Sequence, residues 1–277
     1  STAALLLAWE SGINHWDTAD VYGNGHSETI IGSMWGRVPR EDIFLATKAG
    51  WDKGPHDYWY HPDHIRSNME RSLKNLNTDC VDLMYLHHCN FGKNGEYFDE
   101  ALDVVTKFKE EGKARFIGLS DWDSRKVLAY IEKADPDVVQ PYRNVWDDDY
   151  ESSGLKRWIE DKNLGVCFFS PLKHGLLSGK YDRPPLFKDG DFRTNVDDFQ
   201  SQDIIDRMKK NADALRDLFP NHPNPIMCGV IDVLLSDSKN SCVLLGQRNT
   251  EQVSVASSLG EILPDECVKM IKELYRR

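Results

Sequence analysis

Ile13-Asn14-His15-Trp16-Asp17-Thr18-Ala19-Asp20-Val21-Tyr22-Gly23-Asn24-Gly25-His26-Ser27-Glu28 is the stretch that decides how the rest of the chain is read. A short apolar run from Gly12 to Trp16 stops on an acid. A tight polar turn then presents a tyrosine between that acid and two glycines. Ser27, followed by apolar Ile30 and Ile31, reads as the N-cap of a helix. The local order is therefore strand, loop, helix, with Asp17 at the carboxyl end of the strand and Tyr22 in the loop. An acid and a phenol brought together in this way suit acid–base chemistry. A turn acid beside a packed surface tyrosine is the plainer alternative.

The same rhythm continues outward. Strand-like apolar runs at 43–48, 81–87, 114–120, 138–140, 166–170 and 242–246 alternate with helix-patterned segments. The helices fall near 27–36, 62–76, 98–111, 124–133, 155–161, 204–218, 226–235, 251–259 and 265–275. In the second of them Ile65, Met69, Leu73 and Leu76 recur at helical spacing. Strands alternating with helices predict a parallel sheet, doubly wound or closed as a barrel. Several runs end on a chemically capable residue: Asp17, Lys48, His87, Ser120, Gln140 and Ser170. In a barrel all strand carboxyl ends meet at one face, where the active site lies. The fold expected is α/β, a (β/α)8 TIM barrel in one domain spanning 1–277, with seven strands counted and the first one absent. An open seven-stranded sheet leaves two unpaired edges. A segment outside these 277 residues, or a neighbouring chain, is expected to fill the gap.

Composition narrows the function classes. With 40% hydrophobic residues the chain can bury a full core. A net charge of −11 argues against non-specific attraction to nucleic acid or to an anionic membrane. The six cysteines are scattered without a CxxC pair, and most lie in apolar runs, where a reduced cysteine behaves as a small hydrophobe. That usage points to a reducing, cytoplasmic setting.

Taken in order, these pieces make the chain resemble an aldo-keto reductase. The resemblance rests on Gly12-Ile13-Asn14, Asp17-Thr18-Ala19 and Tyr22-Gly23, then Thr47-Lys48, Val81-Asp82-Leu83 and Leu86-His87. It continues through Gly118-Leu119-Ser120, Ser170-Pro171, the stretch Gly175–Lys180 and Gly246-Gln247-Arg248-Asn249-Thr250-Glu251-Gln252. It covers nearly the whole length. What it implies is NADP(H)-dependent reduction of an aldehyde or ketone, reversible, with NAD(H) as the lesser option. The catalytic tetrad falls on Asp17, Tyr22, Lys48 and His87. His87, rather than adjacent His88, has the family's distance from Asp82. Tyr22 would donate the proton, Lys48 would lower its pKa, Asp17 would keep the lysine charged, and His87 would position the carbonyl.

The resemblance also implies a cofactor groove. Ser120, Asp121 and Gln140 would hold the carboxamide, and Phe169 would stack on the nicotinamide. Ser170, Leu172, Gly175, Leu177, Gly179 and Lys180 would line the pyrophosphate; Gly246, Arg248 and Gln252 would hold the adenosine end. Arg248 suits a 2′-phosphate through bidentate bonds, hence the preference for NADP(H). Asp121 stands where the family usually has Asn, and near a nicotinamide its charge would favour the oxidised ring. Ala256 stands where an asparagine commonly contacts adenine. Trp51, Trp59, His88, Trp122 and Trp146 are the candidate lining of a pocket for a small carbonyl compound or sugar. No metal site is expected, because His61, His64, His87, His88 and Cys89 lack zinc-ligand spacing. Two other readings stand beside the enzyme. One is a cofactor-binding regulatory subunit of the same fold; the other is a barrel hydrolase pairing Asp17 with Asp20.

Overall fold

The runs become seven strands because their Val-, Leu- and Phe-rich residues are buried on both faces, as parallel sheets require. The structure, a computed structural model, describes residues 1–277. The strands are β1 (His15–Asp17), β2 (Phe44–Ala49), β3 (Val81–Leu86), β4 (Ala114–Asp121), β5 (Val138–Pro141), β6 (Gly165–Phe168) and β7 (Ser241–Val243). All neighbouring pairs are parallel, and the order in the sheet is the order in the chain. The helices between them are α2 (His26–Gly32), α3 (Pro62–Leu76), α4 (Phe98–Glu110), α5 (Ser124–Ala134), α6 (Asp149–Ser152), α7 (Leu155–Lys162) and α8 (Gln202–Leu218). A short helix α9 (Pro225–Met227) passes through a π turn at Cys228–Asp232 into α10 (Val233–Ser236). Helix α1 (Thr2–Glu10) precedes the sheet; α11 (Thr250–Ala256) and α12 (Asp265–Tyr275) follow it.

This is the (β/α)8 arrangement with one strand missing. β7 and β1 are not hydrogen-bonded to each other, yet the sheet curls until their side chains touch: Cys242 Sγ lies 3.5 Å from His15 Nδ1. Two apolar layers result. The larger lies between sheet and helices and includes Trp16, Leu45, Met69, Val105, Phe168 and Ile271. The smaller fills the barrel interior with Ala46, Leu83 and Tyr85, flanked by Phe44, Phe116 and Val138. No helix is long and apolar enough to cross a membrane.

Several boundaries differ from the sequence reading. Ser27 is not an N-cap: α2 begins at His26 after Gly25, whose φ of 84° ends the preceding turn. The Ser27 hydroxyl instead accepts a hydrogen bond from Thr18 at 2.8 Å, tying the loop to the end of β1. The helix expected at 226–235 is interrupted by its π turn, and the last strand stops at Val243. The long stretch after β6 contains three 3-10 turns, at Lys173–Ser178, Phe192–Asn195 and Asp197–Gln200.

Gly118 on β4 shows how tightly the interior is filled. A Cβ there would lie 2.5 Å from the Tyr85 ring and 2.8 Å from the Val138 carbonyl oxygen. Neither can move, since Tyr85 is fully buried and the carbonyl belongs to the adjoining strand. Gly118→Ala should lower stability by about 1–3 kcal/mol in urea unfolding, the usual cost of overpacking. Gly36→Ala, where an added Cβ meets nothing within 4 Å, should stay within about 0.5 kcal/mol of the parent. Equal midpoints for the two variants would contradict this account of the interior.

Candidate active site

The curl of the sheet brings Asp17, Lys48, His87, Ser120, Gln140 and Ser170 to one rim, each from the end of its own strand. Lys48 is the centre. The residue is only 1% exposed, and its ammonium is ion-paired to Asp17 Oδ1 and donates to the Thr18 carbonyl at 2.8 Å. The other Asp17 oxygen accepts from the Gln140 amide at 3.0 Å, so three strands converge on one carboxylate. Burial alone would push the Lys48 pKa down; the charge of Asp17 and the facing Tyr22 oxygen hold it above the ordinary lysine value. The lysine is therefore a fixed, buried cation. Its Nζ sits 5.4 Å from the centre of the Tyr22 ring, and Tyr22 is 44% exposed at the opening.

His87 completes the group. Its ring meets Tyr22 edge-on at 5.8 Å, and its Nδ1 is buried without a partner. Burial, reinforced by the charge of Lys48, drives its pKa down to about 2. His87 is thus a neutral imidazole beside a cation and a phenol. His88 is different, because Nε2 donates to the Gly50 carbonyl at 2.7 Å and Nδ1 accepts from the Asn90 N–H at 3.1 Å. With both nitrogens engaged and the residue buried, His88 orders the loop and offers nothing to a substrate. Its expected place in the pocket lining is corrected accordingly, and the choice of His87 over His88 gains a chemical reason.

The aromatics divide. Trp51, 44% exposed, meets His87 edge-on at 5.8 Å and Trp59 at 6.4 Å, so both belong to the wall beside the tetrad. Trp122 packs edge-on against Phe169 at 4.8 Å and lines a cleft of about 340 Å³ with Tyr142, Lys173, His174 and Phe192. Trp146 does not join them. It is buried between the guanidinium groups of Arg207 and Arg277, at 4.8 and 4.7 Å, and donates to Asp198 at 3.0 Å. It lines instead a cavity of about 820 Å³, together with the ionic network of Arg143, Glu151, Asp237 and Lys272. That cavity shares no residue with the tetrad.

The expected cofactor residues divide too. Ser120 and Gln140 are buried at the rim, and Phe169 stands beside them at the end of β6. Asp121 faces elsewhere: its oxygens accept from the Cys89 N–H at 2.7 Å and the Asp123 N–H at 2.8 Å. It staples two rim loops together, and its expected effect on a nicotinamide loses its geometric basis. In the loop after β6, Ser170 has a φ of 58° and a buried hydroxyl without a partner. Gly175 and Gly179 donate their N–H groups to Leu172 and Leu176 inside the loop. They do not present those groups to a phosphate. Gly179 is required because φ is 65° and a Cβ would lie 2.6 Å from Ala212. Leu177 is fully buried in the core and Leu172 packs against it, so neither side chain lines an anion path. Lys180 and Arg248 are exposed and form no ion pair. They lie on the loops after β6 and β7, counterparts of the seventh and eighth strands of a complete barrel, where phosphate sites of this fold occur. Gly246 is open, and Gln252 accepts from the Arg248 N–H at 2.7 Å, fixing that loop on α11.

The hydrolase pairing of Asp17 with Asp20 finds no support. Asp17 is committed to Lys48 and Gln140, whereas Asp20 is buried next to Glu28, with Arg71 at 3.8 Å.

Comparison with known proteins bears on the family and the fold. The model of the Aldo/keto reductase family matches residues 1–276. An aldo-keto reductase of Schizosaccharomyces pombe, yakc, which carries NADP(+) in its name, is 30% identical over 226 residues. That match takes in 76% of this chain and 65% of the yeast protein, less than two thirds of the latter. A probable voltage-gated potassium channel subunit beta of Arabidopsis thaliana is 26% identical over 99% of this chain and 88% of its own. Among solved structures, the glycerol dehydrogenase AKR11B4 of Gluconobacter oxydans superposes with a TM-score of 0.85 at 27% identity, covering 99% of this chain and 84% of that one. A family match over nearly the whole chain, the same fold and a converging Asp-Lys-Tyr-His rim lead to one conclusion: this chain belongs to the aldo/keto reductase family.

Proposed function

We propose that the chain reduces the carbonyl of a small aldehyde or ketone, and oxidises the corresponding alcohol, at the rim formed by Asp17, Tyr22, Lys48 and His87. The observation that carries this reading is the buried Lys48–Asp17 pair directly beneath an exposed tyrosine. Ser120, Gln140, Phe169, Ser170, Lys180 and Arg248 would hold NADP(H), which would supply the hydride that no side chain can provide. The partnerless Ser170 hydroxyl and the unpaired Lys180 and Arg248 cations fit an anionic, phosphate-bearing group. The preference for the 2′-phosphorylated form rests on Arg248 and accords with the name of the yeast relative.

The chain's own residues handle the proton and the developing charge. Tyr22 donates its phenolic proton to the carbonyl oxygen as charge builds there, and the Lys48 cation stabilises the phenolate left behind. Asp17 keeps Lys48 charged throughout, since a carboxylate at contact distance offsets much of the cost of burying an ammonium. His87, neutral at physiological pH, offers a hydrogen bond to the carbonyl oxygen without adding a second positive charge beside Lys48. Trp51 and Trp59 form the apolar wall on that side and favour a flat or apolar carbonyl substituent.

Two outcomes check this assignment. Tyr22→Phe deletes one hydroxyl at an exposed position, so carbonyl reduction should fall about 10²–10⁴-fold, the usual share of general acid catalysis. NADPH affinity, followed by quenching of protein fluorescence, should change less than about twofold. A variant keeping most of its turnover removes Tyr22 as the acid.

The second concerns acid stability. His87 has a folded pKa of about 2 against an ordinary 6.5, so the unfolded chain takes up its proton first. Its contribution to stability is complete above pH 6.5. That contribution is lost as pH falls, by up to about 1.4 kcal/mol per pH unit while the folded ring stays neutral. His87→Gln should therefore flatten the decline in unfolding free energy between neutral pH and about pH 5. Parallel curves for the two proteins would show that His87 is not held neutral by the fold.

A further inference from the structure

One cluster of reactive side chains lies outside the tetrad and was not visible in the linear sequence. His15 and Asp17 share the inward face of β1, two residues apart, so His15 occupies the layer below the Asp17–Lys48 pair. Cys167 on β6 and Cys242 on β7 stand directly opposite each other in the strand register, and both point into that layer. Their sulfurs are 3.0 Å apart, and the Cys242 sulfur lies 3.5 Å from His15 Nδ1. All three atoms lie within 4.8 Å of one another.

We propose that His15, Cys167 and Cys242 form a binding site for a thiophilic divalent cation of the zinc class. The point equidistant from the three atoms in their own plane lies no more than about 2.4 Å from each, against about 2.3 Å for zinc–sulfur and about 2.0–2.1 Å for zinc–nitrogen bonds. Two sulfurs and one imidazole are the donors that soft and borderline ions select over magnesium or calcium. Binding requires the sulfurs to separate by under about 1 Å toward the tetrahedral spacing. Two protons leave as the two thiols become thiolates, and the neutral imidazole contributes its Nδ1 lone pair.

A metal accounts for the imidazole, which a simple disulfide between Cys167 and Cys242 leaves without a role. Cys167 is fully buried, whereas His15 and Cys242 are half-buried. The second cluster of this kind, His222 with Cys228 and Asp232, lacks a free imidazole. His222 bonds the Ser258 carbonyl through Nε2 and accepts from the Asn224 N–H through Nδ1. The Asp232 carboxylate already accepts from the Gly260 and Glu261 N–H groups. It serves as the internal control.

The test is titration of the reduced, metal-free full chain with Co(II), followed by displacement with Zn(II). The expected result is a thiolate-to-cobalt charge-transfer band that saturates at one equivalent and disappears on adding zinc. Cys167→Ser and Cys242→Ser should each abolish the band, and His15→Phe should weaken binding at least about tenfold. Cys228→Ser should leave the titration unchanged. On the unsubstituted protein, Zn(II) should slow alkylation of Cys242, mapped by mass spectrometry, while the rate at Cys228 stays the same. That measurement decides the matter even where a serine variant fails to fold. The proposal is overturned by an absent charge-transfer band, by a band indifferent to Cys167 and Cys242, or by alkylation at Cys242 that zinc does not slow. Loss of two thiols and two hydrogens of mass in air, with no metal taken up, overturns it in favour of a disulfide.

Discussion

Everything at the rim depends on placing an ammonium where water cannot reach it. Lys48 is buried, and an unpaired charge there would cost several kcal/mol. Asp17 offsets that cost only because it too is held in place, by the Gln140 amide from a strand far around the barrel. The Thr18 carbonyl takes a further ammonium proton. These partners come from the ends of β1, β2 and β5, so the ion pair is a clamp on the sheet and, in the proposed function, the support of the proton donor as well. Tyr22 and His87 are arranged around it: the phenol faces the cation, and the imidazole is kept neutral by burial, reinforced by the same charge.

The clamp stands on a second acidic group. Asp20 lies buried beside Glu28, and burial, aggravated by Glu28, raises its pKa to about 7. Glu28 is bonded by Thr47 and Asn75 at 2.8 and 3.0 Å, whereas neither Asp20 oxygen has a hydrogen-bond partner. The folded-state pKa lies above the unfolded value of 3.8, so this group's contribution is fully present below that value and is lost as pH rises toward 7. The fold thus carries a cost near neutral pH immediately beside the loop that bears Tyr22, a pattern common where function rather than stability sets the residue.

Much of this was legible in the chain itself. Asp17, Lys48 and His87 stand out because each ends an apolar run, and parallel strands collect their ends at one rim. The (β/α) rhythm was equally clear, since both faces of such strands are apolar. What escaped was decided by partners distant in sequence. Cys167 and Cys242 look like small hydrophobes within their runs, and only strand register sets them opposite each other, with His15 brought in from 227 positions away. Trp146 has the composition of a pocket wall until Arg207 and Arg277 enclose it. Asp121 and His88 sit at the rim as expected, but backbone N–H and C=O groups of neighbouring loops take up their polar atoms. Ser27 resembled an N-cap because its local context did; the glycine before His26 allowed the helix to start one residue earlier.

The Asp17–Gln140 hydrogen bond has a consequence for the order in which the molecule assembles. It joins residues 123 apart, whereas the Lys48–Asp17 pair joins residues 31 apart. Closing the longer loop costs only about 1.2 kcal/mol more in chain entropy, two doublings of length at about 0.6 kcal/mol each. It cannot form, however, before β2, β3 and β4 have docked between its partners. Helices such as α3 depend on local contacts and form early, while ordering of Asp17 waits for non-local closure. In a refolding time course, helical circular dichroism therefore returns before the near-ultraviolet signal of the aromatic residues packed at the rim, and the lag measures the time the sheet takes to curl from its first strand round to its fifth.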